Sequence, residues 1–439
     1  MKFIMPAIGT IAAIGLFALS AGQTNIATAV ERPSHAETFK HLELFADVLA
    51  RVRADYVVDV EDELLIEDAI NGMLQSLDPH SSYMNADAFR NMQVGSSGEY
   101  GGLGMEVTSE NGYVKVVAPI DNTPASRAGI QPGDYLTEID GESIVGLTLS
   151  EAVDQMRGKA GAPITVTVIR KDEDEPMQIS MVREIIPRGQ TTYEIKDGIG
   201  YIRIPQFNEK SSSTLKEAIA GMKTEMGRNI PGVILDLRRN PGGLLDQSIK
   251  VSSAFLDGGE VVSTRGRRDS DHDSYNAKKG ELLRGVPVIV LINNASASAS
   301  EIVAGAIQDR GRGLVIGLTS FGKGSVQSVI PLRGGRDGAL RLTTQRYYTP
   351  SGRSIQGTGI DPDIAISNEP EDEKAKLFRE ADLPNAIENE DATEDEDTPE
   401  EIVIEYPPED YAEDGDYQLE RAIQIIKDGS YASLLAAAG

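Results

Sequence analysis

The chain has 439 residues, with 42 Lys and Arg against 69 Asp and Glu, four His, no Cys and no Trp. That is about three domains' worth of chain, and 40% hydrophobic with 25% charged residues excludes disorder throughout. The absence of cysteine excludes disulfides, thiolate zinc sites and a cysteine nucleophile, while a net charge of −27 argues against the basic footprint of a nucleic-acid-binding protein.

At the amino end, Lys2 precedes nineteen uncharged residues, Phe3 to Ala21. A positive flank followed by an apolar stretch is the pattern of an export signal. Ala27-Thr28-Ala29 offers a small-x-small cleavage site, and Ala18-Leu19-Ser20 a second. Nineteen residues at about 1.5 Å each also nearly cross a ~30 Å hydrocarbon core. Residues 1–29 therefore fit both a cleaved signal peptide and a retained inner-membrane anchor. Either places the body outside the cytoplasm, in the periplasm, which the lack of cysteine permits.

Residues 36–95 are expected to form a small helical region. Leu44, Phe45, Val48 and Leu49, then Ile66, Ile70, Met73, Leu74 and Leu77, recur at helical spacing up to the Asp78-Pro79-His80 turn. Residues 97–184 are strand-rich, opening on GEYGGLGME (Gly98 to Glu106) and carrying one amphipathic helix, LSEAVDQMRG, near the end. From 185 to 367 short apolar strands such as IGYIRI, GVILDLR and PVIVLIN alternate with helices such as SEIVAGAIQDRG. That alternation predicts α/β layering with a largely parallel sheet. Residues 368–416 are expected to be a disordered acidic tail: from Glu369 to Asp416 there are 21 acidic residues and three basic ones. The rest of the chain then carries about −9, an ordinary value. Residues 417–439 return as a helix with Leu419, Ala422, Ile423 and Ile426 on one face.

Three readings compete for Lys323 in GLTSFGKGSVQ. Gly317-x-x-x-x-Gly322-Lys323 has P-loop spacing, but Gly324 stands where Ser or Thr would hold Mg²⁺, and SVQSVIPL reads as strand rather than helix. Ser320-x-x-Lys323 needs a helical turn that Gly322 and Gly324 disfavour, and the chain has no K-T-G companion. The third reading pairs Lys323 with a serine of Asn294-Ala-Ser-Ala-Ser-Ala-Ser-Glu301. That segment follows a buried strand and opens a helix, whose free N–H groups suit an oxyanion. Serines at such turns are also ordinary helix caps. His35, His41 and His272 lie in a linker, a helix and a charged loop, and His80 in a turn, so a lysine is the better base. A free lysine at pH ~7.5 is only about 0.1% neutral, and lowering its pKa by about three units takes ~4 kcal/mol, which burial supplies. Gln327 is placed to hold such an amine without adding charge. Asp236-Leu-Arg-Arg-Asn-Pro-Gly-Gly243 puts two glycines at a strand exit, where backbone approaches a ligand closely.

Together LQSLDPHSSYM, SGEYGGLGMEV, TPASRAGIQPGD, DLRRNPGG, SASASEIVAGAIQD, FGKGSVQ and RYYTPSGRSIQGTGI resemble the carboxy-terminal processing peptidases, PDZ-containing serine proteases with a Ser-Lys dyad. The resemblance runs from about Leu44 to Asp363. It implies a crotonase-like and Clp-protease-like α/β protease domain with an inserted PDZ domain. It assigns Ser298 as nucleophile, Lys323 as general base and Gln327 as the residue that orients the lysine. The amide of Ala299, with that of Gly242 or Gly243, would form the oxyanion hole. Gly102, Leu103, Gly104 and Met105 would bind a substrate's terminal carboxylate, with Arg157 coupling the loaded PDZ domain to activation. The activity expected is endoproteolysis of exported proteins with exposed apolar carboxyl termini, without metal or cofactor. Partners consistent with it are a second copy of the chain and a helical-repeat adaptor. A non-catalytic PDZ scaffold is the alternative reading.

Overall fold

The computed structural model describes residues 35–438 except 111, 172, 174, 188, 228, 370–377, 390–402, 413 and 414. The signal or anchor expected over 1–29 lies outside the described residues. Among the described residues no helix is long and apolar enough to cross a membrane. The chain divides into two units, one ending at Ile66 and the other starting at Glu67. The first carries the helix His35–Asp55, on which Phe39, Leu42, Phe45 and Val48 are exposed.

The second unit is built on a six-stranded sheet in the spatial order Thr192–Lys196, Ile199–Arg203, Val233–Asp236, Val288–Ile292, Leu314–Gly317, Ile364–Ala365. The first pairing is antiparallel and the others parallel. Strands buried on both faces need continuous apolar runs. VILD, VIVLI and LVIG supply them, every residue being buried. One face packs on the helices Ser211–Met226, Leu245–Phe255 and Ala299–Asp309. The opposite face is covered by the helix Tyr417–Lys427 through Leu419, Ala422, Ile423 and Ile425. The carboxyl end is two helices rather than the one expected. Gly429, at φ 79°, turns the chain before Tyr431–Ala438.

A second, antiparallel sheet gathers Ser82–Met84, Glu260–Gly266, His272–Asn276, Ser325–Pro331 and Ala339–Tyr348. His272, expected in a loop, opens one of its strands. The stretch 368–416, expected to be solvated throughout, has ordered parts. Glu380 is fully buried, and Glu405 extends the sheet edge: the Ser367 amide donates to its carbonyl at 2.9 Å and its own amide donates to the Ala365 carbonyl at 2.8 Å. Residues 370–377 and 390–402 of that stretch lie outside the described residues.

The β-rich module is a sheet of Met105–Glu110, Tyr113–Pro119, Tyr135–Ile139, Pro163–Ile169 and Met177–Val182, with Glu142–Ser143 at its side. Its helix Leu149–Met156 starts in a capping box. The Glu151 amide donates to Thr148 Oγ1 at 3.3 Å, and the Thr148 amide donates to Glu151 Oε2 at 2.8 Å. The two linkers to the module run side by side as the antiparallel pair Glu99–Gly102 and Glu184–Pro187.

Candidate active site

Three hydroxyls crowd the turn between the strand Val288–Ile292 and the helix Ala299–Asp309, and hydrogen bonding separates them. Ser296 Oγ donates to the Leu237 carbonyl at 2.9 Å and Ser300 Oγ to the Asn240 carbonyl at 2.9 Å. Both hydroxyls pin the turn to the DLRRN segment. Ser298 is left to line a cavity of about 550 Å³ together with Lys323, Gln327, Gly243 and Tyr347. Its backbone, at φ 54° and ψ −110°, is a conformation glycine would normally take and costs of order 1–3 kcal/mol. Two neighbours hold it there. The Ser298 amide donates to Glu301 Oε2 at 2.6 Å. Gly242 packs so closely on the turn that a Cβ would stand 2.7 Å from the Ala297 carbonyl oxygen and 2.9 Å from the Ala299 nitrogen.

Glu301 also holds the lysine loop. Its carboxylate accepts from Ser320 Oγ at 2.6 Å, the Gly322 amide at 2.7 Å and the Lys323 amide at 3.0 Å. One fully buried side chain thus joins the backbones of Ser298 and Lys323. Burial pushes its carboxyl up to about 7, opposed by these four donors.

Lys323 precedes a strand, Ser325–Pro331, not a helix, so the loop is no phosphate cradle. Its Nζ donates to Gln327 Oε1 at 2.6 Å. Burial lowers the amine to about 8, and the nearby Arg341 guanidinium adds to the effect, against the pull of Glu380, Glu301 and Asp78. Arg341 lines the same cavity. Tyr347 lies against the Ser298 hydroxyl, and burial pushes its phenol up to about 12. Among the described residues no hydrogen bond joins Ser298 to Lys323.

The two glycines of DLRRNPGG differ. The Gly242 amide donates to Asn240 Oδ1 at 2.9 Å, so it is not a free oxyanion donor, and that alternative is corrected. The amides of Gly243 and Ala299 have no acceptor among the described residues. Asn240 is fully buried. Its Nδ2 donates to the Ile204 carbonyl at 2.7 Å, while its own carbonyl accepts from the Ala297 amide at 3.0 Å. Sequence reasoning missed Asn240, Glu301, Arg341 and Tyr347. The one available signal was the acid three residues past Ser298, which a capping box also explains.

Family models match here in three stretches: peptidase family S41 over residues 198–366, a PDZ domain over 115–170, and the activating protease CtpB N-terminal domain over 4–88. The carboxy-terminal-processing protease of Bartonella bacilliformis is 53% identical over 365 residues, 83% of either chain. The chain belongs to the carboxy-terminal processing proteases. A probable CtpA-like serine protease of Staphylococcus epidermidis is 36% identical over 323 residues, covering 73% of this chain and 64% of that one. Among solved structures, the photosystem II D1 C-terminal processing protease is similar at 26% identity, covering 74% of this chain and 92% of that one with a TM-score of 0.44. The processing protease is thus a serine-type peptidase that carries a PDZ domain.

In that PDZ domain the strand Met105–Glu110 is an edge, paired only with Tyr113–Pro119 among the described strands. A groove of about 500 Å³ runs beside it, lined by Gly102, Leu103, Gly104, Met105, Val153, Met156 and Arg157. The amides of Leu103 and Gly104 have no acceptor among the described residues. Arg157 stands at the carboxyl end of the groove helix, its guanidinium 5.3 Å from the centre of the Tyr100 ring. Its Nε is buried without a hydrogen-bond partner.

Proposed function

We propose that the processing protease is an exported endopeptidase that selects proteins by an apolar carboxyl terminus and cleaves nearby through Ser298 and Lys323. The observation that carries this reading is the shared cavity. It contains the one turn serine whose hydroxyl is not spent on a backbone carbonyl, and a lysine whose amine is lowered to about 8. At pH 8 about half of such an amine is neutral, against well under 1% of a free one.

In the proposed reaction Ser298 Oγ attacks the scissile carbonyl carbon and its proton passes to Lys323 Nζ. The oxyanion meets the free amides of Ala299 and Gly243. The intermediate collapses, the C–N bond breaks, and the Lys323 ammonium returns the proton to the leaving amine. Water then attacks the acyl-enzyme, giving a proton to Lys323; the ester C–O bond breaks, Lys323 returns that proton to Ser298 Oγ, and the new carboxyl end departs. Gln327 steadies the amine throughout. Because Ser298 lies against Tyr347 and Lys323 is bonded to Gln327, the contact between them is assigned to the substrate-loaded form; catalytic bonds commonly tighten only then.

The PDZ groove supports tail recognition by β-augmentation: the edge strand takes an added strand and the Leu103 and Gly104 amides meet its terminal carboxylate. Val153 and Met156 make the adjoining pocket apolar. Arg157 is the cation we assign to sensing a loaded groove. The exposed apolar residues of His35–Asp55 favour a second copy of the chain as their cover.

Digestion of a protein with an apolar carboxyl tail tests the mechanism. Ser298→Ala is expected to bind the tail normally and to lose turnover by at least about 10³-fold. Lys323→Arg should lose nearly as much, because guanidinium stays protonated. Wild-type turnover in either variant removes the assignment.

A further inference from the structure

The Asp78-Pro79-His80-Ser81 turn carries a carboxylate that the proposed chemistry does not use. Asp78 is 3% exposed. Its Oδ1 accepts from the His80 amide at 2.8 Å, the Ser81 amide at 2.9 Å and Thr343 Oγ1 at 3.0 Å, and its Oδ2 accepts from Ser81 Oγ at 2.6 Å. Burial disfavours the charged form, but the bonds from Ser81, His80 and Thr343 outweigh it and hold the carboxyl below its ordinary range. It is therefore an acceptor only.

Hydrogen-bond polarity propagates from there. Thr343 has one hydroxyl proton, and Asp78 takes it. Towards Gln327, Thr343 Oγ1 then offers only lone pairs, and Gln327 Nε2 donates to it at 3.1 Å and to Ser325 Oγ at 3.0 Å. With its NH₂ group committed, the amide turns its carbonyl oxygen to Lys323, whose Nζ donates to Oε1 at 2.6 Å. We infer that Asp78 is a positioning residue: acting through Thr343, it fixes which end of the Gln327 amide faces Lys323.

Which end faces the lysine decides whether the amine is free to act. A neutral amine has two N–H bonds and one lone pair. A carbonyl oxygen takes an N–H and leaves the lone pair for the Ser298 proton. A reversed amide would place N–H against that lone pair and occupy it. The inference rests on the Ser298–Lys323 reading, and its test separates the two.

The experiment measures kcat and KM of the full chain on a fluorogenic peptide with an apolar tail, with melting temperature as a check on folding. Thr343→Val keeps the side-chain volume and removes the acceptor. It should lower kcat by about 10- to 100-fold, the scale of a misplaced reacting group, with KM within about twofold. Thr343→Ser restores the hydroxyl and should recover kcat to within about threefold of wild type. Asp78→Ala removes the acceptor for the Thr343 hydroxyl; where it folds it should match Thr343→Val, and the double variant should be no worse than either, as members of one chain of bonds are not additive. Where Asp78→Ala does not fold, the Thr343 pair decides. Wild-type kcat in Thr343→Val overturns the inference, and so does an equal loss in Thr343→Ser, which would point to packing of the methyl group. If Lys323→Ala is inactive while Thr343→Val is normal, only this inference fails. If Lys323→Ala keeps turnover, the dyad reading fails.

Discussion

Burying Lys323 has a consequence for stability as well as for chemistry. The unfolded chain keeps the lysine proton up to the ordinary value of 10.5, and the fold releases it near 8. Between those values the unfolded state binds more protons, so stability rises with pH. Below 8 the fold holds a partly desolvated ammonium, at a cost of up to roughly 3 kcal/mol. Lys323→Met is therefore expected to be about 1–3 kcal/mol more stable than wild type at pH 7, with the difference shrinking between pH 8 and 10.5. Denaturant titration across that range measures it, and a variant less stable at pH 7 contradicts the desolvation argument. Ser298, Lys323 and Gln327 were singled out through the family resemblance, since a turn serine taken alone reads equally as a helix cap. Glu301 and Asp78 were not. A carboxylate whose work is to accept from amides 21 and 22 residues away, as Glu301 does, or from a threonine hydroxyl 265 residues away, as Asp78 does, looks in sequence like any helix cap or turn acid.

The elements were readable where burial imposes a pattern. VILD, VIVLI and LVIG announce themselves because strands covered on both faces are mostly apolar, and the one acid among them, Asp236, is buried on Tyr201, Arg203 and Arg238. The strand Glu260–Gly266, which buries Ser263 and Thr264 beside its two valines, and the largely exposed strand His272–Asn276 carry no such run. The acidic stretch misleads for the opposite reason. Composition averages over a window, whereas Glu380 is buried by two partners outside that window, His80 Nε2 at 2.9 Å and Gln356 Nε2 at 3.2 Å. At the carboxyl end, the helix Tyr417–Lys427 is locked to the sheet by one arginine. Arg238 donates to both oxygens of Asp416 at 2.7 Å and to Asp236 from Nε at 3.0 Å and Nη2 at 2.7 Å. Asp416 in turn caps the helix, accepting from the Leu419 amide at 3.2 Å. Asp416→Ala removes a partly exposed partner of a buried arginine and a helix cap together, while Asp236 still pairs the arginine. It is expected to destabilise the protein by about 1–2 kcal/mol. Hydrogen exchange should show residues 417–427 opening first. Unchanged protection there would mean that apolar packing alone holds the helix.

At the scale of the molecule, the PDZ groove and the cavity lined by Ser298 and Lys323 are separate parts of one unit, joined by the paired linkers Glu99–Gly102 and Glu184–Pro187. A tail bound along the edge strand Met105–Glu110 sits next to the Arg157 end of the groove helix, and Gly158 donates a backbone bond to Gly101 of the linker at 3.0 Å. The groove helix thus touches the linker pair directly, whereas the proposed catalytic residues Ser298 and Lys323 rest on different partners, Tyr347 and Gln327. The proposed cycle needs those two side chains to meet once substrate is loaded, with the lysine neutral. The most direct measurement is the rate of Ser298 acylation against pH, read as the pre-steady-state burst of an activated ester peptide with an apolar tail. A neutral lysine base requires a single rise with its midpoint near pH 8 in the wild type and no burst in Lys323→Ala. A burst that climbs without inflection to pH 10, or one that survives in Lys323→Ala, would contradict it.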